Sequence, residues 1–272
     1  MEKIRLDSLL KEKGFFESRE KAKQAITNNL IKINGIIVDD ASKKFNNDVD
    51  IEVLGNPNKY VSRGAKKLEK ALAFFDLDVQ GLTAVDIGSS TGGFTDVLLQ
   101  NGIEKVFCID VGKDQLHEKI RNSERTVVME ETDFRTINGE IIKDANIIVI
   151  DVSFISIESI VKKIKEIYSN REVLVVSLIK PQFECGKEIA KKYKGIIKDK
   201  NIHKMVINKV LNYWQSNGFK IQGLTWSPIK GGDGNIEYLL LSKLTAKEVY
   251  QCVNIEKVVE DAFNELKSSK LQ

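Results

Sequence analysis

The chain is poor in the residues that hold transition metals. It has two histidines and three cysteines in 272 residues, and Cys108, Cys185 and Cys252 form no C-x-x-C pair. That argues against a zinc site and against a disulfide framework. No apolar run approaches the roughly 20 residues that span a bilayer. The opening MEKIRLDSLL has no uninterrupted apolar core of a secretory signal. The expectation is a cytoplasmic protein with no metal and no membrane partner.

What is present is ordinary for a soluble globular chain, with 42% hydrophobic and 30% charged residues. The length suits one large domain and a small one. The net charge of +3 hides an uneven distribution. Residues 1–70 carry 15 Lys/Arg against 11 Asp/Glu, residues 80–178 carry 11 against 16, and residues 179–220 carry 10 against 3. Most charge runs are solvated faces, but two basic zones around an acidic one hint at a polyanionic partner.

The first segment reads as helix, helix, hairpin. Leu6, Leu9 and Leu10 make a short apolar face that ends near Gly14. Ser18 is a cap for a second helix, Arg19 to about Thr27, with Ala22, Ala25 and Ile26 inward. Asn34-Gly35 between apolar residues is a hairpin signal. "RLDSLLKEKGFFESREKAKQAI…IKINGIIV" resembles the small RNA-binding module named after a small-subunit ribosomal protein. That resemblance implies RNA contacts by Arg5, Ser18, Arg19 and Lys23, to which Arg63 of "VSRGAKK" is added. The Gly/Pro/Asn stretch Leu54–Tyr60 is the expected linker, giving an RNA-binding module over 1–58 and a larger domain over 59–272.

From Leu82 onward the pattern changes. Apolar runs at Ala84–Ile87, Val106–Ile109, Thr126–Met129, Ile147–Ile150 and Val173–Ile179 alternate with helical stretches. Such runs predict a doubly wound α/β domain with a parallel sheet covered on both faces. Lys220–Thr225 and Tyr238–Leu241 lack a long helix between them, which predicts an antiparallel terminal pair.

"AVDIGSSTGGFTDVL" sets Asp86 near a strand end, then Gly88, Gly92 and Gly93, then a helix. Glycines allow close backbone approach to a ligand at a helix N-terminus. No Gly-Lys-Ser/Thr follows, and the spacing differs from G-x-G-x-x-G, so a triphosphate loop and a dinucleotide loop are both disfavoured. Asp110 ends the next strand, where a carboxylate can accept a ribose diol. The loop resembles the first motif of class I S-adenosylmethionine-dependent methyltransferases. That resemblance implies a Rossmann-like sheet and S-adenosylmethionine as cofactor. It places Asp86, Gly88, Gly92 and Gly93 around the methionine portion, Asp110 on the ribose and Asp133 near the adenine, with Ser89 and Phe94 also among the cofactor-binding residues. A turn-forming role for Asp133 is the alternative.

Four more polar residues lie at or near predicted strand ends. Asp151 and Lys180 end strands, Glu237 opens the last one, and Lys67 precedes the sheet. Ligands of open α/β sheets bind outside the carboxyl ends of strands. Together the four resemble the Lys-Asp-Lys-Glu tetrad of FtsJ-like RNA ribose 2′-O-methyltransferases, with Lys180 as general base. A free lysine near pKa ~10.4 is mostly charged at neutral pH. Base catalysis therefore asks for a site that disfavours the ammonium, by burial and by a neighbouring cation such as Lys67.

"VSRGAKKLEKAL", "DIGSSTGGFTDVLL", "DVSFIS", "KPQFECGK" and "SPIKGGDGNIEYLL" follow one another as in the TlyA family, which resembles ribosomal-RNA cytidine-2′-O-methyltransferases and includes proteins named haemolysins. The implied partners are ribosomal RNA or ribosomal subunits. Lys66 competes with Lys67 for the tetrad position. The basic stretch after Lys180 is expected to face RNA as a mobile loop and helix. The rival readings are a non-catalytic RNA-binding or assembly factor, a membrane-lytic protein and a dinucleotide-dependent oxidoreductase.

Overall fold

The computed structural model describes residues 3–27, 29–54, 59–153, 156–246 and 253–268. The expected linker falls largely on 55–58, outside the described residues. The chain divides into two compact units, one running to Arg63 and one beginning at Gly64.

In the first unit β1 (Ile4–Arg5) leads into helices α1 (Leu6–Glu12) and α2 (Arg19–Thr27). Strands β2 (Ile31–Ile33), β3 (Ile36–Ile37), β4 (Lys44–Phe45) and β5 (Ile51–Val53) follow. Ser18 Oγ accepts from the Lys21 N–H at 3.2 Å, the N-cap expected from sequence. Asn34 and Gly35 both take positive φ, 51° and 80°, as a two-residue type I′ hairpin turn requires. β2 lies between β3 and β5, while β1 pairs with β4. Leu6, Leu10, Ala22, Ile26, Ile31 and Ile33 share one small core.

The second unit opens with α3 (Ala65–Phe74), β6 (Thr83–Ile87), α4 (Gly93–Gln100), β7 (Lys105–Ile109), α5 (Glu118–Arg121) and β8 (Thr126–Met129). It continues through β9 (Ile147–Ile150), α6 (Ile157–Ile167), β10 (Val173–Ile179), α7 (Pro181–Glu184), α8 (Lys187–Lys192) and α9 (Lys200–Ser216). The last elements are β11 (Phe219–Trp226), β12 (Tyr238–Leu244) and α10 (Ile255–Ser268). The seven strands run in the order β11-β12-β10-β9-β6-β7-β8. β12 is antiparallel to both of its neighbours, and the pairs from β10 to β8 are parallel.

The apolar patterns explain this layering. All of β9 is buried, as a central strand covered on both faces must be. Val85, Ile87, Ile148, Ile150, Val173 and Val175 pack into one core with the inner stripe of α6, Ile157, Ile160, Val161 and Ile164. That stripe has the spacing of one helix face. The alternate residues of β6 point the other way, and Asp86 among them meets Thr95 of α4. Strand order reverses between β6 and β9, so the carboxyl ends of these two strands open the crevice where such sheets take ligands.

Candidate active site

The glycine loop sits on that crevice. Gly88 has φ +81°, and a Cβ there would lie 2.6 Å from the Asp151 carbonyl oxygen. The loop from β6 therefore packs directly against the end of β9, and only glycine permits it. Gly92, at φ +89°, is the N-cap of α4. Beneath the loop, Asp86 is fully buried. Its Oδ2 accepts from the Thr95 N–H at 3.1 Å and from Thr95 Oγ1 at 2.7 Å, tying β6 to the first turn of α4. Its Oδ1 and Ser89 Oγ are buried with no partner. Burial pushes the Asp86 carboxyl up to about 7, against the lowering effect of Thr95. Gly93 and Phe94 are buried as well.

Asp110 follows β7 and organises the neighbouring loops. Its Oδ2 accepts from the Ser90 N–H at 2.8 Å and its Oδ1 from the Gly112 N–H at 2.7 Å. The carboxylate thus stands at the rim of the crevice, where each oxygen keeps acceptor capacity beyond its one N–H. Asp133 caps a short turn by accepting from the Arg135 N–H at 2.9 Å, and the Arg135 guanidinium also engages its carboxylate. The Asp133 carboxyl is held below its ordinary range by that side-chain bond.

The four tetrad residues converge although they lie far apart in the chain. Lys67 Nζ donates to Glu237 Oε2 at 2.7 Å and to Asp151 Oδ2 at 3.3 Å. Lys180 Nζ lies 2.5 Å from Asp151 Oδ1, in an ion pair that lacks hydrogen-bond alignment. Lys180 also donates to Ser153 Oγ at 3.0 Å. Lys67, Lys180 and Glu237 are buried, and Asp151 is half-buried. Lys66 is half-buried and takes no part in these pairs.

The two lysines differ in charge environment. Burial works against the Lys67 ammonium, but the Asp151 and Glu237 carboxylates outweigh it and hold its pKa above the ordinary lysine range. Lys180 has one carboxylate neighbour where Lys67 has two. Burial also works against the Asp151 charge, yet Lys67 and Lys180 keep its carboxyl below the usual range. Each element earns its place: Lys180 comes from the end of β10 just before Pro181 starts α7, and Glu237 precedes β12. A Cβ on Gly231 would strike Glu237 Oε1, so the glycine-rich turn before β12 lets that carboxylate lie down.

The expected RNA contacts all lie in the first unit. Arg5 and Arg19 both reach the buried carboxylate of Asp7, at 3.1 and 3.0 Å, while about half of each side chain stays exposed. Lys23 and Arg63 are exposed, and Ser18 serves as the helix cap already described. Two contributors escaped the reading of the sequence, Thr95 and Ser153. Neither carries a signal of its own, since each is a small hydroxyl in a helix start or loop.

Among the described residues there is no cluster of three His/Cys/Asp/Glu side chains able to hold a metal ion. Nor is any described helix long and apolar enough to cross a membrane.

The fold and site define a class I methyltransferase arrangement, and comparison with known proteins agrees. Residues 60–244 match the FtsJ-like methyltransferase family, and residues 4–48 match the S4 domain. Hemolysin A of Brachyspira hyodysenteriae is 43% identical over 238 residues, covering 87% of this chain and 98% of its own length. The 16S/23S rRNA (cytidine-2′-O)-methyltransferase TlyA of Mycobacterium tuberculosis is 32% identical, covering 97% of this chain and 98% of its own length. A solved structure from Streptococcus thermophilus that carries the hemolysin name superimposes with a TM-score of 0.76 at 38% identity, over 100% of both chains. The chain belongs to the FtsJ-like methyltransferases, within the TlyA group.

Proposed function

We propose that this protein methylates the 2′-hydroxyl of a ribose, in cytidine of ribosomal RNA, with S-adenosylmethionine as donor. The observation that carries the reading is the Lys67–Asp151–Lys180–Glu237 constellation, packed through Asp151 against the Gly88 loop. Reaction centre and cofactor crevice are then one site. The cytidine and the ribosomal RNA come from the kinship with TlyA, and the S4 match supports RNA as substrate.

The residues present fit the cofactor. Gly88 and Gly92 let the loop turn tightly against the end of β9 and against Ile120, and the Asp110 rim carboxylate suits a ribose diol. Asp86 braces the loop from beneath through Thr95, and Asp86 Oδ1 and Ser89 Oγ are buried without a protein partner. Val111, exposed beside Asp110, offers an apolar wall. The Asp133 carboxylate is engaged by Arg135, so an adenine contact there has to share that carboxylate or use the backbone. When bound, the cofactor supplies an electrophilic methyl carbon.

The chain's own residues must then place the hydroxyl and remove its proton. In this scheme the Lys180 ammonium first releases a proton to solvent. The neutral amine, held by Asp151 Oδ1 and Ser153 Oγ, then accepts the 2′-hydroxyl proton at Nζ as the hydroxyl oxygen bonds to the methyl carbon. Lys67, held charged between two carboxylates, is unsuited to that task. Its ammonium fixes Asp151 and Glu237 and balances their charge. Positioning of hydroxyl against methyl supplies the rest of the acceleration. Such a substrate places the protein in the cytoplasm with the ribosome.

The test is to map ribose methylation on ribosomal RNA from cells with and without the protein. A 2′-O-methylcytidine present only with it is expected. Tight RNA binding with no new methylation would instead make it a non-catalytic RNA-binding factor.

A further inference from the structure

Residues 186–198, between α7 and α9, hold five exposed lysines: Lys187, Lys191, Lys192, Lys194 and Lys198. The exposed acid among them is Glu188. No ion pair found among the described residues involves any of the five, whereas Lys200, Lys204 and Lys209 of α9 each meet a glutamate. The stretch was expected to be mobile, yet much of it is pinned. Asn235, buried, donates through Nδ2 to the Gly195 carbonyl at 2.8 Å and accepts at Oδ1 from the Ile197 N–H at 2.9 Å. The buried His203 ring bridges the Ile197 carbonyl, at 3.0 Å, and the Tyr238 hydroxyl, at 2.8 Å.

Both anchors belong to the active site's own framework. Lys187 follows Lys180 by seven residues, a span of at most about 25 Å even if fully extended. Asn235 precedes Glu237 by two residues. Five ammonium groups with no ion pair among the described residues, Lys192 lying 5.7 Å from the Tyr193 ring, are thereby carried on a segment tied to the stretch that leads into Glu237.

We infer that α8 and the turn after it form the catalytic unit's own docking surface for an RNA phosphodiester backbone. The inference rests on the proposed function and adds a second place, apart from the first unit, where the substrate is gripped. An anionic bilayer would attract the same lysines. However, Ile189, Ala190 and Tyr193 pack against the protein core, so α8 has no free apolar face to insert. Charge without insertion suits a polyphosphate backbone.

The experiment compares two variants of the full chain with equal loss of charge. One is Lys191→Gln/Lys192→Gln. The other is Lys143→Gln/Lys165→Gln, placed before β9 and in the last turn of α6. Binding of fluorescein-labelled bacterial ribosomal RNA is measured against salt concentration, with S-adenosylmethionine binding as a check on the fold.

Each lost phosphate contact lowers the log–log salt slope by about 0.7–0.9, so the first pair should lower it by about 1.4–1.8. RNA affinity near 0.15 M salt should then fall about tenfold or more, with cofactor affinity unchanged and the control pair close to wild type. Equal slopes for the two pairs would overturn the inference. So would a first pair that keeps its RNA slope but loses binding to phosphatidylglycerol vesicles. If the wild type binds RNA as described but transfers no methyl group, the proposed activity falls while the docking surface stands.

Discussion

Asp86 offers a test in which sign and size both come from the structure. Its carboxyl is fully buried, with Oδ2 held by Thr95 and Oδ1 without a partner, and burial pushes it up to about 7. In the unfolded chain the same group titrates near ~3.9. As pH rises, the unfolded state releases this proton first, so the group's contribution to stability is full below about pH 4 and is lost by about pH 7. Three pH units at 1.36 kcal/mol each set an upper bound of about 4 kcal/mol.

Asp86→Asn keeps an acceptor for Thr95 but cannot ionise. The free-energy difference between variant and wild type should therefore move in the variant's favour by about 2–4 kcal/mol between pH 4 and pH 7, then level off. Carboxylates away from Asp86 titrate alike in both proteins and cancel, while Asp151 and Asp110, whose charges help to raise the Asp86 pKa, leave a smaller difference. Urea unfolding followed by tryptophan fluorescence is the assay, because Trp214 and Trp226, the chain's two tryptophans, both lie in the second unit. A difference that stays constant from pH 4 to pH 8 would mean that Asp86 is not a buried, uncompensated acid.

Gly88→Ala forces a Cβ onto the Asp151 carbonyl at φ +81° and should cost at least about 1–3 kcal/mol of stability, together with cofactor affinity; calorimetry and melting measure both. Asp110→Ala should weaken S-adenosylmethionine binding by about 1.5–3 kcal/mol, and unchanged affinity would displace the cofactor from this rim. Asp7→Asn should loosen the first unit by about 1–2 kcal/mol, because its carboxyl is lowered to about 2 chiefly by the Arg5 hydrogen bond, and both arginine partners are half exposed. That contribution is present above about pH 4 and lost as pH falls toward 2, so the variant and wild type should converge in acid.

Much of the sheet was legible because buried parallel strands are written as apolar runs. Thr126–Met129, Ile147–Ile150 and Val173–Ile179 fall where the runs do. The antiparallel character of the last two strands also followed from the missing crossover helix. Their order did not: β12 inserts between β10 and β11, a matter of long-range pairing that leaves no mark in local pattern. In the first unit the Asn-Gly turn announced β2 and β3, but β5 joins β2 from fourteen residues beyond β3 and was missed.

The tetrad was visible as charges at strand ends, a costly place to leave them. Between Lys66 and Lys67 the difference is one of helix phase: the packing of α3 buries Lys67 with Leu68, Ala71 and Leu72 and turns it to Asp151 and Glu237. Ser153 could not be foreseen, because an exposed loop serine is unremarkable until Lys180 is seen beside it.

In the proposed mechanism Lys180 takes the proton of the attacking hydroxyl. Single-turnover methylation of ribosomal RNA by Lys180→Ala and Lys180→Arg, at saturating RNA and S-adenosylmethionine, tests it most directly. Both variants should lose about 10²–10⁴ in rate, the usual worth of a positioned acid–base group, while cofactor affinity stays near wild type. Arginine keeps the charge beside Asp151 but cannot give up a proton at neutral pH. An arginine variant that turns over at close to the wild-type rate would contradict the claim and leave Lys180 as a counterion.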